Sequence, residues 1–201
     1  KKENNVIIHF TDTFPKKLKA DFRAYVNPDD RISTARNHTA THLLHESLQE
    51  ILGEHVQQKG SLVCVDYLRF DFSHFSKISE EELSKIEASI NHKILSNISV
   101  EEHTNIPLSE AKGLGAMMLF GEKYGDVVRM IQFETSKELC GGTHVKASGE
   151  IGFFKIISES STAAGIRRIE AISGTKALDF VNSQEKVLED LSHLLKTKDV
   201  V

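Results

Sequence analysis

An α+β domain, with helices packed on an antiparallel or mixed sheet, is the fold class this chain predicts, and three observations carry it. Helical and strand-like periodicities are interleaved irregularly instead of alternating strictly, which argues against a doubly wound sheet. Several strand-like runs lie close enough in sequence to form hairpins. With 201 residues and 39% hydrophobic content, the chain can bury one good core, or one core plus a small appended unit.

The elements follow in order. Val6 to Phe10 predicts a short β-branched strand, and Leu18 to Val26 another, ending at the turn Asn27-Pro28-Asp29-Asp30. Two strands do not stand alone, so they read as the remnant of a small β-unit. The first residue is not Met, which points to a piece of a longer chain. Asp30 to Leu52 is helical, stopped by Gly53, with Ala40, Leu43, Leu44, Leu48 and Ile51 on one stripe. Ser61 to Phe72 is strand-rich, and Leu68, Phe70 and Phe72 alternate with Arg69 and Asp71.

Ser79 and Glu82 form a capping box that opens a second helix, whose buried stripe is Leu83, Ile86, Ile90 and Ile94. A strand near Val100 to Thr104 precedes a Gly-rich region around Lys112 to Gly115. Val127 to Phe133, Gly152 to Ser158 and Ile166 to Ile172 predict three more strands. Thr175 to Lys196 is helical; Val181, Leu188 and Leu195 recur every seven residues, with Ala177 and Leu191 in companion positions. That stripe fits either the start of a coiled coil or a helix packing back on the domain.

Composition excludes some classes. No run of 18 apolar residues exists, and Lys1 to Asn5 is no signal peptide, so membrane insertion is not expected. The two cysteines, Cys64 and Cys140, make no disulfide framework and fit a reducing, cytoplasmic setting. A net charge of −4 is not that of an autonomous nucleic-acid binder, and no DNA partner is expected. An RNA substrate would need local basic groups or help from other domains. The one modestly basic stretch, Lys146 to Lys176, offers Lys155, Arg167 and Arg168 as contacts.

Ten histidines in a chain without Trp justify a search for metal ligands. His38 and His42, four apart on the first helix, stack on one face. His45 lies nearby, and all three point roughly opposite the leucine stripe, either to water or into a cleft. A lone His pair is a weak signal, and Thr39 stands where the zinc-protease pattern needs Glu. Cys140-Gly141-Gly142-Thr143-His144 supplies a thiolate and an imidazole at matching spacing. Alone, Cys140 reads as a small buried hydrophobe and the Gly-Gly pair as a hairpin turn. Together the two pairs form a His3Cys set suited to Zn2+, placing a zinc site between a helix and the Cys-Gly-Gly-Thr-His loop. Whether all four bind at once stays open at this stage.

Several blocks then carry a family resemblance. Asn37-His38-Thr39-Ala40-Thr41-His42-Leu43-Leu44-His45, Gln58-Lys59-Gly60-Ser61-Leu62-Val63 and Leu68-Arg69-Phe70-Asp71-Phe72-Ser73-His74 resemble the editing domains of alanyl-tRNA synthetases. So do Leu119 to Asp126, Cys140 to Val145 and Ala164 to Ala171. The resemblance runs in order from about Arg31 to Gly174. It implies zinc held by His38, His42, Cys140 and His144, and hydrolysis of Ser and Gly from the acceptor end of alanine tRNA. It implies an α+β domain shared with the threonyl-tRNA synthetase editing domain and with free-standing AlaX-type deacylases.

It also implies a division into a β-barrel-like tail (1–35), an editing unit (36–174) and an exit helix (175–201) toward a C-terminal domain. Other domains of the same synthetase become partners, and alanine activation with its ATP site lies outside this stretch. By resemblance Thr41 and Gln58 shape the substrate pocket; without it they read as a surface Thr and a solvated Gln. Backbone N–H groups near Gly141-Gly142 are candidate donors to a developing oxyanion. The alternatives are a free-standing AlaX-type deacylase and a non-catalytic, zinc-stabilised tRNA-binding module.

Overall fold

The computed structural model describes residues 2–3, 6–14, 16–17, 19–118 and 124–197. Of the runs named above, Leu18 and Leu119 to Lys123 lie outside them. At the N-terminus, β1 (Lys2–Glu3) and β2 (Val6–Ile7) make a two-residue antiparallel pair. Residues 19–26 form no strand, contrary to the expectation. Their apolar side chains lie exposed, Phe22 and Tyr25 among them, and among the described residues no neighbouring strand supplies the ladder that an extended segment requires.

Asn27 starts α1 (Pro28–Leu52): its side chain accepts from Asp29 N at 3.0 Å, Pro28 occupies the first turn, and two aspartates there complement the helix dipole. Gly53 ends it in a backbone conformation of φ 113° that a side chain would strain. The middle of α1 is buried on both sides: Leu43, Leu44 and Leu48 on one, His42 and His45 on the other. The histidines therefore face a protein-lined cleft, not water.

The leucine side packs on a four-stranded antiparallel sheet in the order β3 (Gln58–Val63), β4 (Leu68–Ser73), β9 (Ile166–Ser173), β8 (Phe154–Ala163). Leu68, Phe70 and Phe72 point inward, beside Ala171 and Ile169 of β9, while Arg69 and Asp71 lie on the other face, as the alternation predicts. The second helix, α2 (Glu80–Leu95), covers the same sheet through Ile86, Ile90 and Ile94. Its N-terminus carries the expected capping box, with Ser79 N donating to Glu82 Oε2 at 2.8 Å and Glu82 N to Ser79 Oγ at 3.2 Å. Ser79→Ala should cost about 1 kcal/mol and lower the melting temperature by about 2–4 °C. A calorimetric scan indistinguishable from that of the unsubstituted chain would show that the box contributes nothing.

A second sheet runs β5 (Val100–Pro107), β6 (Val127–Phe133), β7 (Ser136–Leu139), with the short helix α3 (Leu108–Gly113) against it. Strand β6 is buried on both faces. Ile131 and Phe133 join the main core, whereas Val128 and Met130 form a smaller one with Ala111 and Leu139. After β7 the chain passes through a 3-10 turn, Ser148–Ile151, into the β8–β9 hairpin. The last helix, α4 (Thr175–Leu195), buries Ala177, half-buries Val181 and leaves Leu188, Leu191 and Leu195 exposed, so only the start of its apolar stripe packs back on the domain.

Candidate metal centre

Helix α1 and the loop after β7 meet at one point. The donor atoms of His38, His42, Cys140 and His144 all lie within 4.8 Å of one another. Cys140 Sγ is 3.3 Å from His38 Nε2 and 3.3 Å from His144 Nε2. Zinc bound tetrahedrally by nitrogen at about 2.0–2.1 Å and sulfur at about 2.3 Å sets neighbouring donors roughly 3.3–3.6 Å apart. The four residues thus fit a metal of that kind in donor chemistry, and the two sulfur–nitrogen separations match its spacing.

Local sequence explains the convergence. One helical turn carries His38 to His42. On the loop, a Cβ at Gly142 would stand 1.9 Å from His38 Cε1, so only glycine lets that imidazole approach. Arg129 fixes the loop's course: its Nη1 donates to the carbonyls of Cys140 (2.9 Å) and Gly142 (2.7 Å), while Nε pairs with Glu102 at 2.7 Å. The Gly142 N–H turns toward Cys140 Sγ at 3.4 Å.

A supporting layer orients the rings. Thr39 Oγ1 lies 3.1 Å from His144 Nδ1 and accepts from Val145 N at 3.2 Å, which tethers the loop to the helix. Glu138 is buried, with its two carboxylate oxygens 3.2 Å from His42 Nδ1 and 3.3 Å from His45 Nδ1. Burial holds His38 down to about 4 and His144 down to about 2, helped by the neighbouring imidazoles, and lowers His42 as well. At neutral pH these rings are therefore uncharged and keep a lone pair for a metal. Burial alone would raise the Glu138 carboxyl, but the facing His42 and His45 more than offset it, and its pKa lies below the ordinary value.

The centre forms one wall of a cleft of about 430 Å³. Thr41, Gln58, Lys59, Gly60, Ser61, Glu138 and Leu139 line it with His38, His42 and Cys140. The structure thus places Thr41 and Gln58 at the same cleft as the donors. Thr41 Oγ1 donates back to Asn37 O at 2.8 Å, so its lone pairs remain for another partner. Gln58 stands where the β3–β4 register shifts between Gln58 and Gly60.

The three basic residues do not join this cleft. Lys155 pairs with Glu87 at 2.7 Å on β8, at the sheet edge opposite β3. Arg168 forks onto Asp71 at 2.6 and 2.8 Å, and Arg167 pairs with Glu159.

Glu138, Thr39 and Arg129 had escaped the sequence reading. Glu138 precedes Cys140 by two, but that spacing signals a shared face only once the strand before Cys140 is known.

Residues 128–170 match the family model described as the threonyl and alanyl tRNA synthetase second additional domain. The chain is 58% identical over 203 residues to an alanine--tRNA ligase of Cytophaga hutchinsonii, covering 100% of this chain and 23% of that protein. It is 56% identical over 196 residues to the alanine--tRNA ligase of Flavobacterium psychrophilum, covering 98% of the chain and 22% of that protein. Against the Bacteroides fragilis protein of the same name the figures are 57% over 194 residues, 96% and 22%. The chain therefore spans less than a quarter of the length of these curated relatives. No helix among the described residues is long and apolar enough to cross a membrane.

Proposed function

We propose, from the premise that this chain belongs to the second additional domain family of threonyl and alanyl tRNA synthetases, that residues 36–174 are a hydrolytic editing unit. It removes serine and glycine wrongly esterified to alanine tRNA. The single observation behind this reading is the four-donor cluster set in the wall of a cleft that also holds Thr41 and Gln58.

The need for such a site is physical. A synthetic pocket built for alanine cannot exclude glycine by size, and rejects serine poorly for one added hydroxyl, so a second, hydrolytic site must correct it. Bound at His38, His42, Cys140 and His144, zinc would supply Lewis acidity for hydrolysis of the ester, or an anchor for the amino group. Thr41 Oγ1, with its proton committed to Asn37 O, accepts a hydrogen bond from a serine hydroxyl. The Gln58 amide offers both a donor and an acceptor to the same group. Since Lys155, Arg167 and Arg168 already hold carboxylates, a phosphate would have to compete for them. Other domains of a full-length synthetase would then supply most of the tRNA affinity.

The test is deacylation of alanine tRNA charged with Ser, Gly or Ala, alongside metal analysis of the same sample. Release of Ser and Gly with Ala spared is expected. No hydrolysis by zinc-loaded protein would leave a non-catalytic binding module instead. Thr41→Ala and Gln58→Ala should each slow serine release about 2–10-fold, the equivalent of one hydrogen bond worth about 0.5–1.5 kcal/mol. Glycine release, with no hydroxyl to hold, should change less. Unaltered rates on every substrate for both variants would remove these residues from the pocket.

A further inference from the structure

We infer that a second, smaller cleft bordering Cys140 holds the terminal adenine base of the charged tRNA, which stacks there on Tyr124. The inference rests on the proposed editing function and adds a base subsite to it. The cleft measures about 240 Å³, and among the described residues Tyr124, Val127, Arg129, Leu139, Cys140 and Gly141 help to line it. Leu139 and Cys140 also line the cleft that holds Thr41 and Gln58, so the two clefts adjoin at the start of the loop that carries the metal donors. Arg129 pins that shared wall. Its main-chain oxygen accepts from Cys140 N at 3.1 Å, and its Nη1 donates to Cys140 O at 2.9 Å.

Size and chemistry select the occupant. Clefts that enclose a whole small-molecule ligand run to about 300–1,000 Å³. At about 240 Å³ this one lies below that range and suits a single ring system. The polar partners that a serine needs stand in the larger cleft, at Thr41 and Gln58. The smaller cleft offers the opposite surface: half-buried Tyr124 and buried Leu139, both in the smaller core, with exposed Val127 beside them. A nucleobase is the flat, largely apolar part of an aminoacylated tRNA end, and bases stack on aromatic rings. In that ester the ribose separates amino acid from base. The two groups therefore need adjoining compartments with the scissile bond at their boundary, where Cys140 lies. Gly141 leaves the mouth open there: it is exposed, and nothing stands within 4 Å of where its Cβ would be.

The probe is an adenosine that carries serine through a 3′ amide, which resists hydrolysis. Amide NMR of the whole chain should show shifts at Val127, Leu139 and Gly141 as well as at Gln58 and Ser61. Tyr124→Ala should weaken binding about 5–150-fold, the loss expected for one base–aromatic stack. Tyr124→Phe keeps the ring and should stay within about threefold. The same serine amide on a ribose without a base should bind all three proteins alike, whereas a merely structural role of Tyr124 would weaken both compounds. Val127→Glu crowds the cleft from a position that is 55% exposed and outside both cores. It should weaken the adenosine compound by a comparable factor even if Tyr124→Ala fails to fold. Absence of shifts at Val127, Leu139 and Gly141 overturns the inference, and so does equal affinity of the unsubstituted chain and the folded variants for the adenosine compound. If the compound occupies both clefts but the unsubstituted chain releases no serine from tRNA, the editing function falls and the base subsite stands.

Discussion

A double variant, His38→Ala with His42→Ala, is expected to bind no zinc under conditions that saturate the unsubstituted chain, and to release neither serine nor glycine from tRNA. Two of the four donors disappear, leaving only Cys140 and His144 from the loop. Affinity should fall by more than the roughly 100-fold that marks the upper end for loss of a supporting partner. The helix itself survives, since alanine is the best helix former. The removal does strand one oxygen of buried Glu138, which should cost about 1–3 kcal/mol in the metal-free state. Metal analysis and a melting curve on one sample separate the two effects. Stoichiometric zinc in the purified double variant would show that the cluster is not the binding site.

Gly142→Ala should do nearly as much damage by adding a single methyl group. Its Cβ would fall 1.9 Å from Cε1 and 2.3 Å from Nδ1 of His38, far inside van der Waals contact. The ring must leave its place, because α1 is packed on both sides and cannot retreat. Zinc affinity should therefore drop as far as in His38→Ala. The neighbouring Gly141→Ala is the control: nothing lies within 4 Å of a Cβ there, and affinity should stay within about twofold, or about 0.4 kcal/mol. Equal losses in the two variants would mean that loop flexibility, not the close approach of His38, governs the site.

How much of this was legible depends on how local each signal is. Helix α1 was readable almost to its ends because Asn27-Pro28 and Gly53 punctuate a strong periodic stripe. The four donors were readable because two spacings of four mean the same thing on a helix and on a tight Gly-Gly loop. Strand β7 was not: Ser-Lys-Glu-Leu contains no β-branched residue, and its place comes from pairing with β6. Glu138 was hidden with it. Helix α3 is six residues long, too short for a periodicity. At residues 19–26 the error ran the other way, since apolar composition suggested a strand where no partner strand stands among the described residues.

The pairing of β4 with β9 sets a schedule. Leu68 lies opposite Ala171 and Phe72 opposite Arg167, so the middle of the larger sheet joins segments about 100 residues apart. On a ribosome adding about 5–20 residues per second, Phe70 and Phe72 wait roughly 5–20 s for the strand that completes their layer. Until then the β4 edge of the β3–β4 hairpin stays open and α1 has only half a floor. The nascent chain thus carries a sticky aromatic ribbon while about 100 further residues are added, the interval in which a chaperone would be most useful to it.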